Sequence, residues 1–338
     1  MLDPQRNPLL RGRVDLTFFT VSRRGEPVGR IVAHIDTKSN QLHALRRSCF
    51  GYFDCQDDGD AAALLLGAAE QWGRERGCTE IAGNFELTAM QQIGVTTDGF
   101  AAAPHTDMHY NPAHVPRLLE AHGYERWFPM TTFETDLTRF DPDTLLGPAQ
   151  RAILESSRLR FDTVERRRFR AQLEDVRLVL NDGFAENPLF VPLTHDEFFA
   201  QSEEMLWIMD PRIACLVYEH DRPIGAVVCI PDLNPFLRST RSRIGWSTPL
   251  HFVRHRLRRE RAVIIFYSVC RESHGRGLAG AMLYRVTVAL RSSGYRRLGT
   301  TWISDSNLAS LRQMEKLGAE PLHRLHLFRK PLTAEGSR

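Results

Sequence analysis

The sequence predicts an α+β fold: two tandem domains, residues 1–143 and 144–338, each a mostly antiparallel, twisted mixed sheet flanked by helices. Three observations point there. The 338 residues suffice for about two domains, each with its own core. The composition, 42% hydrophobic and 25% charged, is that of an ordinary soluble globular protein. Laid side by side, the halves repeat one plan: hairpin, strand, turn, helix, strand, an Asn-led helix ending in Gly, strand.

In the first half, Met1–Leu10 reads as an ordered lead-in. Val14–Val21 alternates in part and reads as a strand. Arg24-Gly25-Glu26-Pro27 is turn chemistry, and Val28–Ile35 returns as the other arm of a hairpin. Cys49–Cys55 is a third strand. The acidic run Asp57-Asp58-Gly59-Asp60 caps a helix over Ala61–Arg76, which Gly77 stops. Glu80–Phe85 is a strand. Tyr110-Asn111-Pro112 leads into a helix over Val115–His122 ended by Gly123, and Thr131–Leu137 closes the domain. Pro142–Pro148 lacks periodicity and reads as the linker.

In the second half, Ala149–Asn181 is helix-rich and strongly charged. Thr194–Met209 carries Phe198, Phe199, Met205 and Leu206 at helical spacing. Ile213–Tyr218 and Ile224–Ile230 form a second hairpin around Asp221-Arg222-Pro223, and a basic segment, Phe236–Arg261, follows. A strand runs from Val263 to Val269. Next come the run His274-Gly275-Arg276-Gly277-Leu278-Ala279-Gly280, a helix to Leu290 closed by Gly294, and a strand through Leu298, Thr300 and Trp302. Asn307 opens a short helix ending at Gly318, and Leu322–Phe328 is the last strand. The spacings Asn111 to Gly123 and Asn307 to Gly318, twelve and eleven residues, align the two copies.

Net charge is only +3, so no nucleic-acid partner is demanded. Lysine occurs only at Lys38, Lys316 and Lys330, an arginine bias that reads first as genomic composition. The cysteines Cys49, Cys55, Cys78, Cys215, Cys229 and Cys270 form no C-x-x-C pair and sit mostly in apolar runs. Reduced, buried thiols in a cytoplasmic protein are expected, rather than a disulfide or zinc framework. The histidines show no metal spacing, so no metal is expected. Met1–Arg13 is polar and does not read as a signal peptide, and no apolar run approaches a membrane span of about 18 residues.

Strand, glycine-rich turn and helix in the order found over Ala262–Gly318 make an anion cradle. The glycines let consecutive N–H groups converge, and the helix N-terminus adds positive potential. A phosphate-bearing ligand is the expected guest. The first copy has Asp57-Asp58-Gly59-Asp60 at the corresponding turn, where carboxylates repel phosphate, so only the second copy is expected to bind.

His274-Gly275-Arg276-Gly277-Leu278-Ala279 resembles the (Arg/Gln)-x-x-Gly-x-(Gly/Ala) signature of the GNAT superfamily of acyl-CoA-dependent N-acyltransferases, with His in the first position. Asn307, Ser310 and Glu315-Lys316-Leu317-Gly318 resemble its second signature. Met314 stands where many members carry the tyrosine that protonates the CoA thiolate. A narrower resemblance spans almost the whole chain. It is carried by Asn7-Pro8-Leu9-Leu10, Gly51-Tyr52-Phe53-Asp54-Cys55, Tyr110-Asn111-Pro112, Phe190-Val191-Pro192-Leu193-Thr194, Pro231-Asp232-Leu233-Asn234, Trp302-Ile303-Ser304-Asp305-Ser306-Asn307 and Lys330-Pro331-Leu332. On these residues the chain is similar to the two-domain bacterial GNAT proteins that include bacterial ceramide synthase-like N-acyltransferases.

The resemblance implies two tandem GNAT-like domains, the first degenerate and the second holding acetyl-CoA or another acyl-CoA. It implies direct attack of an amine on the thioester in a ternary complex. His274, Gly275, Arg276, Gly277, Leu278, Ala279 and Gly280, with Asn307 and Ser310, would hold the cofactor. N–H groups at Ser268, Val269 and Cys270, where the strand splays from its neighbour, would meet pantetheine and the carbonyl. Cys270 is expected to be a buried structural thiol, since this transfer needs no covalent nucleophile.

For the proton, Asp232 and Asn234 follow a strand whose end is expected to face the acceptor cleft, or are simply turn residues. Tyr267 projects into the acceptor channel or into the core. Asp305 is a helix cap or a site residue, and Glu272 is a solvated loop residue or a base. The basic segment 236–261, with Trp246, Leu250, Phe252 and Leu257 among its arginines, reads as a solvated face, a dock for an acyl-carrier protein, or a surface for an anionic membrane. Three functions stay open. They are acyl transfer from CoA to a small amine, long-chain transfer to a lipid or sphingoid-type amine, and non-catalytic binding of acyl-CoA or an acyl-carrier protein.

Overall fold

A computed structural model of the chain describes residues 2, 3, 5, 7–203 and 205–332. The chain separates into two compact units. The first comprises Met1–Thr131, Asn187–Val191 and the described part of His323–Arg338; the second comprises Thr132–Glu186 and Pro192–Leu322. Neither is one continuous stretch, because two short pieces of the C-terminal half belong with the first unit.

The first unit opens with the antiparallel strands β1 (Val14–Arg23) and β2 (Glu26–Asp36). Arg24 and Gly25 between them both take positive φ, 53° and 86°, as a tight primed turn requires. A short helix α1 (Thr37–Leu42) leads to β3 (Arg47–Cys55), antiparallel to β2. The chain then crosses through α2 (Gly59–Glu75) to β4 (Glu80–Gly83), parallel to β3, and continues to β5 (Val95–Asp98) and α3 (His114–Ala121). The Asp58 side chain caps α2, accepting from the N–H groups of Asp60 and Ala61. Leu65 and Leu66 of α2 are buried against Ile31, Phe50 and Ile81, each contributing about 2 kcal/mol.

From β6 (Glu125–Asp136) the chain passes into the second unit. There follow α4 (Pro148–Leu154), β7 (Leu159–Asp162), α5 (Phe169–Gly183), α6 (His195–Ser202) and α7 (Met205–Ile208). Next are β8 (Cys215–Glu219), β9 (Arg222–Pro231), α8 (Asn234–Thr240), α9 (Thr248–Arg258), β10 (Arg261–Val269), α10 (Leu278–Ser292), β11 (Arg297–Ser304) and α11 (Leu308–Lys316). The strand order is β7-β8-β9-β10-β11, antiparallel except for the parallel pair β10/β11. Ile264, Leu283, Val286 and Leu290 anchor the core between this sheet and α10. The final strand, β12 (Glu320–Pro331), pairs antiparallel with β4 and β5 of the first unit.

Each unit is thus a mixed sheet built from a hairpin, a third strand, a helical crossover and a parallel strand, with antiparallel pairs predominating. The region read as helical after residue 149 contains a strand, β7, whose four residues are too few to show a period. The expected helix over Thr194–Met209 is two helices, and Glu204 between them lies outside the described residues, as do Met1, Pro4 and Arg6 of the lead-in. The stretch read as linker is packed: Asp141 caps a 3-10 turn over Pro142–Leu145, and Leu145 is buried in the core of the second unit. Among the described residues no helix is long and apolar enough to cross a membrane.

Candidate functional site

The glycine-rich run becomes the entrance to α10. Gly277 is its N-cap at φ +91°, and among the described residues no side chain caps the helix. The first bond back into the helix runs from the Ala281 N–H to the Gly277 carbonyl, 3.1 Å. The N–H groups of Leu278, Ala279 and Gly280 therefore have no acceptor within α10, and they point out of its positive end. At the corresponding helix of the first unit, α2, the Asp58 carboxylate occupies such donors itself. Of these two corresponding entrances, that of α2 is satisfied by a side chain and that of α10 offers its amides to an anion.

Gly277 and Gly280 are glycine for packing as well. A Cβ at Gly277 would lie 3.1 Å from Gln150 Nε2 and 3.2 Å from Ala149 Cβ, and one at Gly280 3.2 Å from Gln150 Nε2. α4 therefore rests on this end of α10. Gln150 is set by its own bond, its Oε1 accepting from the Gly147 N–H. Gly275, at φ +73°, has nothing within 4 Å on its Cβ side, and Arg276 beside it is exposed.

β10 and β11 part before they end. Their parallel pairing runs from Arg261↔Arg297 to Ile264↔Thr300, yet β10 continues to Val269 and β11 to Ser304. On its other edge β10 stays paired with β9 as far as Val269↔Gly225, and the Cys270 N–H donates to the Ile224 carbonyl, 2.9 Å. Antiparallel pairs alternate, so Ser268 and Cys270 turn their amides toward β9 while Tyr267 and Val269 turn theirs toward the gap left by β11. Of the three residues expected to present N–H groups there, Val269 does so; Ser268 and Cys270 do not. The Ser268 hydroxyl donates instead to the Val179 carbonyl of α5.

Because β10 and β11 are parallel, the turn after β10 and Asn307 after β11 reach the same end of the sheet. The Asn307 side-chain oxygen accepts from the Ser310 N–H, 3.1 Å, and caps α11. His274 corrects one expectation. Its Nε2 lies 2.9 Å from the Val269 carbonyl and its backbone N–H donates to Arg271, so neither faces a phosphate. Met314 is buried, with its sulfur 3.4 Å from the Thr300 hydroxyl at the point where the strands part.

The residues considered for proton transfer are elsewhere. Since β9 is antiparallel to β10, the end of β9 lies at the start of β10. Asp232 therefore sits beside Arg261, eight residues or about 26 Å along β10 from Val269. It is 1% exposed, its Oδ2 is held by Arg261 Nε at 2.8 Å, and its Oδ1 accepts from the Asn234 N–H. Asp232 and Asn234 are structural partners at the far end of the sheet. The Tyr267 side chain packs against the core and its hydroxyl is buried with no hydrogen-bond partner among the described residues; burial drives its pKa far up. Glu272 pairs with Arg222 at the surface, 2.8 Å. Burial pushes the Cys270 thiol up to about 11, and it points at the Pro223 carbonyl, so it is not a thiolate nucleophile.

Sequence reading missed Gln150 and Asp182. The Asp182 carboxylate, at the end of α5, accepts from the Arg271 N–H, 2.7 Å, and fixes the turn after β10. Its partner lies 89 positions away, a pairing with no local signal.

A protein-family model described as the acetyltransferase (GNAT) family matches residues 181–319. The chain is 25% identical over 327 residues to Protein YghO of Escherichia coli (strain K12), covering 93% of this chain and 82% of that protein. It is also 25% identical over 339 residues to a protein named bacterial ceramide synthase, from Caulobacter vibrioides (strain NA1000 / CB15N), covering 98% and 87%. Among solved structures, a tandem GNAT protein from the clavulanic acid biosynthesis pathway superposes with a TM-score of 0.55 at 13% identity, covering 97% of this chain and 87% of that one. A GCN5-related N-acetyltransferase from Sphaerobacter thermophilus gives 0.51 at 15% identity, covering 93% and 80%.

Proposed function

Residues 181–319 being a GNAT acetyltransferase domain, we propose that this protein moves an acyl group from CoA to an amine, and that the entrance to α10 binds the CoA pyrophosphate. The observation that carries this reading is the uncapped set of N–H groups at Leu278, Ala279 and Gly280, entered through Gly277 at φ +91°. Beside it, the Val269 N–H faces the gap between β10 and β11, where it would polarise the thioester carbonyl. An acyl-CoA supplies a carbonyl carbon whose bond to sulfur breaks as its bond to the amine nitrogen forms, leaving an amide and a free thiol. No side chain is assigned to proton removal: Asp232 and Asn234 are at the other end of β10, and the Tyr267 hydroxyl is sealed.

Within this reading, a longer acyl chain and a lipid-type amine draw support from the relative named bacterial ceramide synthase. Non-catalytic binding is the second reading, and Met314 favours it, since it supplies no proton to a leaving thiolate. The test follows thiol release from acyl-CoAs graded from acetyl to palmitoyl, with a panel of small and lipid amines. Amine-dependent thiol release is expected. Tight CoA binding without turnover for any amine would overturn the enzyme reading and leave the binding one. Gly275→Asp adds a carboxylate where space is open and Asp tolerates positive φ. It should weaken CoA binding by roughly tenfold or more through like-charge repulsion; unchanged affinity would remove the phosphate role of this turn.

A further inference from the structure

We propose that α9, together with the turn before it, rests on an anionic lipid surface. The helix is inside-out. Leu250 and Leu257, 70% and 73% exposed, form an outward stripe with Val253, flanked by Arg254 and Arg258. The opposite side carries the inward contacts. Phe252 meets the Phe236 ring of α8 edge-on at 5.5 Å, and Arg256 donates to the Ile208 and Met209 carbonyls. A helix on a globular surface normally buries its leucines and shows its arginines. Here Phe252 and Arg256 fix the reverse orientation.

The turn ahead of α9 extends the same face. Ile244 and Trp246 are almost fully exposed, Trp246 at 94%. The turn is held rather than loose: the Gly245 N–H donates to the Thr248 hydroxyl at 2.8 Å, and the Ser242 N–H to the Leu237 carbonyl. Around these apolar tips stand Arg238, Arg241, Arg243, Arg254 and Arg258, all exposed and none with an acidic partner among the described residues. Residues 233–259 contain no Asp or Glu at all.

Charge and shape together select the occupant. A second copy of this chain would bring the same arginines against these and repel. An acidic carrier protein would match the charge but leave Trp246 and the leucines unexplained. A bilayer with anionic headgroups takes both: phosphates meet the guanidinium groups, while Trp246, Ile244 and the leucines enter the headgroup–acyl boundary.

The proposal stands on the second unit alone and does not depend on acyl transfer. The full chain is floated with vesicles of phosphatidylcholine and with vesicles of equal parts phosphatidylcholine and phosphatidylglycerol. It is expected to bind the mixed vesicles roughly tenfold or more tightly than the neutral ones, with the difference shrinking in high salt. Arg254→Glu with Arg258→Glu should cost roughly tenfold or more on the anionic vesicles. Trp246→Ser with Leu257→Ser should weaken binding by a similar factor. All four side chains are exposed, and an unchanged circular-dichroism melt verifies that each variant folds. Failure to bind the mixed vesicles, or binding that neither double variant reduces, would overturn the proposal. So would capture of an acidic acyl-carrier protein through these residues by a chain that ignores vesicles.

Discussion

Arg261 holds two carboxylates at once, Asp232 through Nε and Glu134 through Nη1 at 2.9 Å, and Arg297 reaches Glu134 from the neighbouring strand. Removing one partner leaves a buried guanidinium partly uncompensated, which is far more costly than the net worth of the pair. Asp232→Ala should therefore destabilise the second unit by about 3–5 kcal/mol, read from urea unfolding, while CoA affinity in the folded protein stays unchanged. A loss of affinity without loss of stability would instead return Asp232 to the site. His34 makes a different single-residue case. It is fully buried with Nε2 3.1 Å from the Phe85 carbonyl, and burial pushes its pKa down to about 4 from 6.5. Between those values the unfolded chain binds the proton and the native unit does not, so its contribution is complete above pH 6.5 and is lost as pH falls toward 4. The loss amounts to about 3 kcal/mol. His34→Gln should flatten this segment of the stability profile; an identical profile in both proteins would contradict it.

At the scale of elements, the meeting of α4 and α10 decides what the glycines mean. Gly275 and Gly277 both have positive φ, but only Gly277 has α4 against its Cβ side. Gly275→Ala should cost about 1–2 kcal/mol for the left-handed backbone alone. Gly277→Ala should cost more, and should lower the melting temperature together with CoA affinity. Equal losses for the two would mean that α4 does not press on this turn. The motif itself was legible because strand, glycine run and helix are contiguous, and the hairpins because their turn residues are local. The direction of β9 against β10 was not legible. Asp232 follows an apolar strand in the sequence as a catalytic carboxylate would, yet antiparallel pairing carries it to the end away from Gly277. Likewise the packing of Leu145 and the bond from Arg271 to Asp182 depend on partners far away in the chain.

At the scale of the molecule, two copies of one plan differ at one helix entrance each. Asp58 fills the first; among the described residues no side chain caps the second. Calorimetric titration should find one CoA per chain, and two equivalents would show that the first unit also binds. The repeat was legible from the order of hairpin, strand, helix and strand in each half. The Asn-to-Gly spacing was a poorer guide: Asn307 caps α11, whereas the Asn111 side chain bonds the Thr96 backbone and Ala113 is the N-cap of α3. The membership of two short pieces of the C-terminal half in the first unit was not legible, since Asn187–Val191 and the part of β12 from His323 carry no mark of the unit they join. That membership has a consequence during synthesis. β12 pairs Phe328 with Gly83 and Arg324 with Asp98, so β4 and β5 await a strand that the ribosome makes about 245 residues after β4. At ~5–20 residues per second, the wait is roughly 12 to 50 s. During that time the N-terminal half presents open strand edges, and a nascent chain interrupted before His323 would keep them, inviting chaperones or proteases.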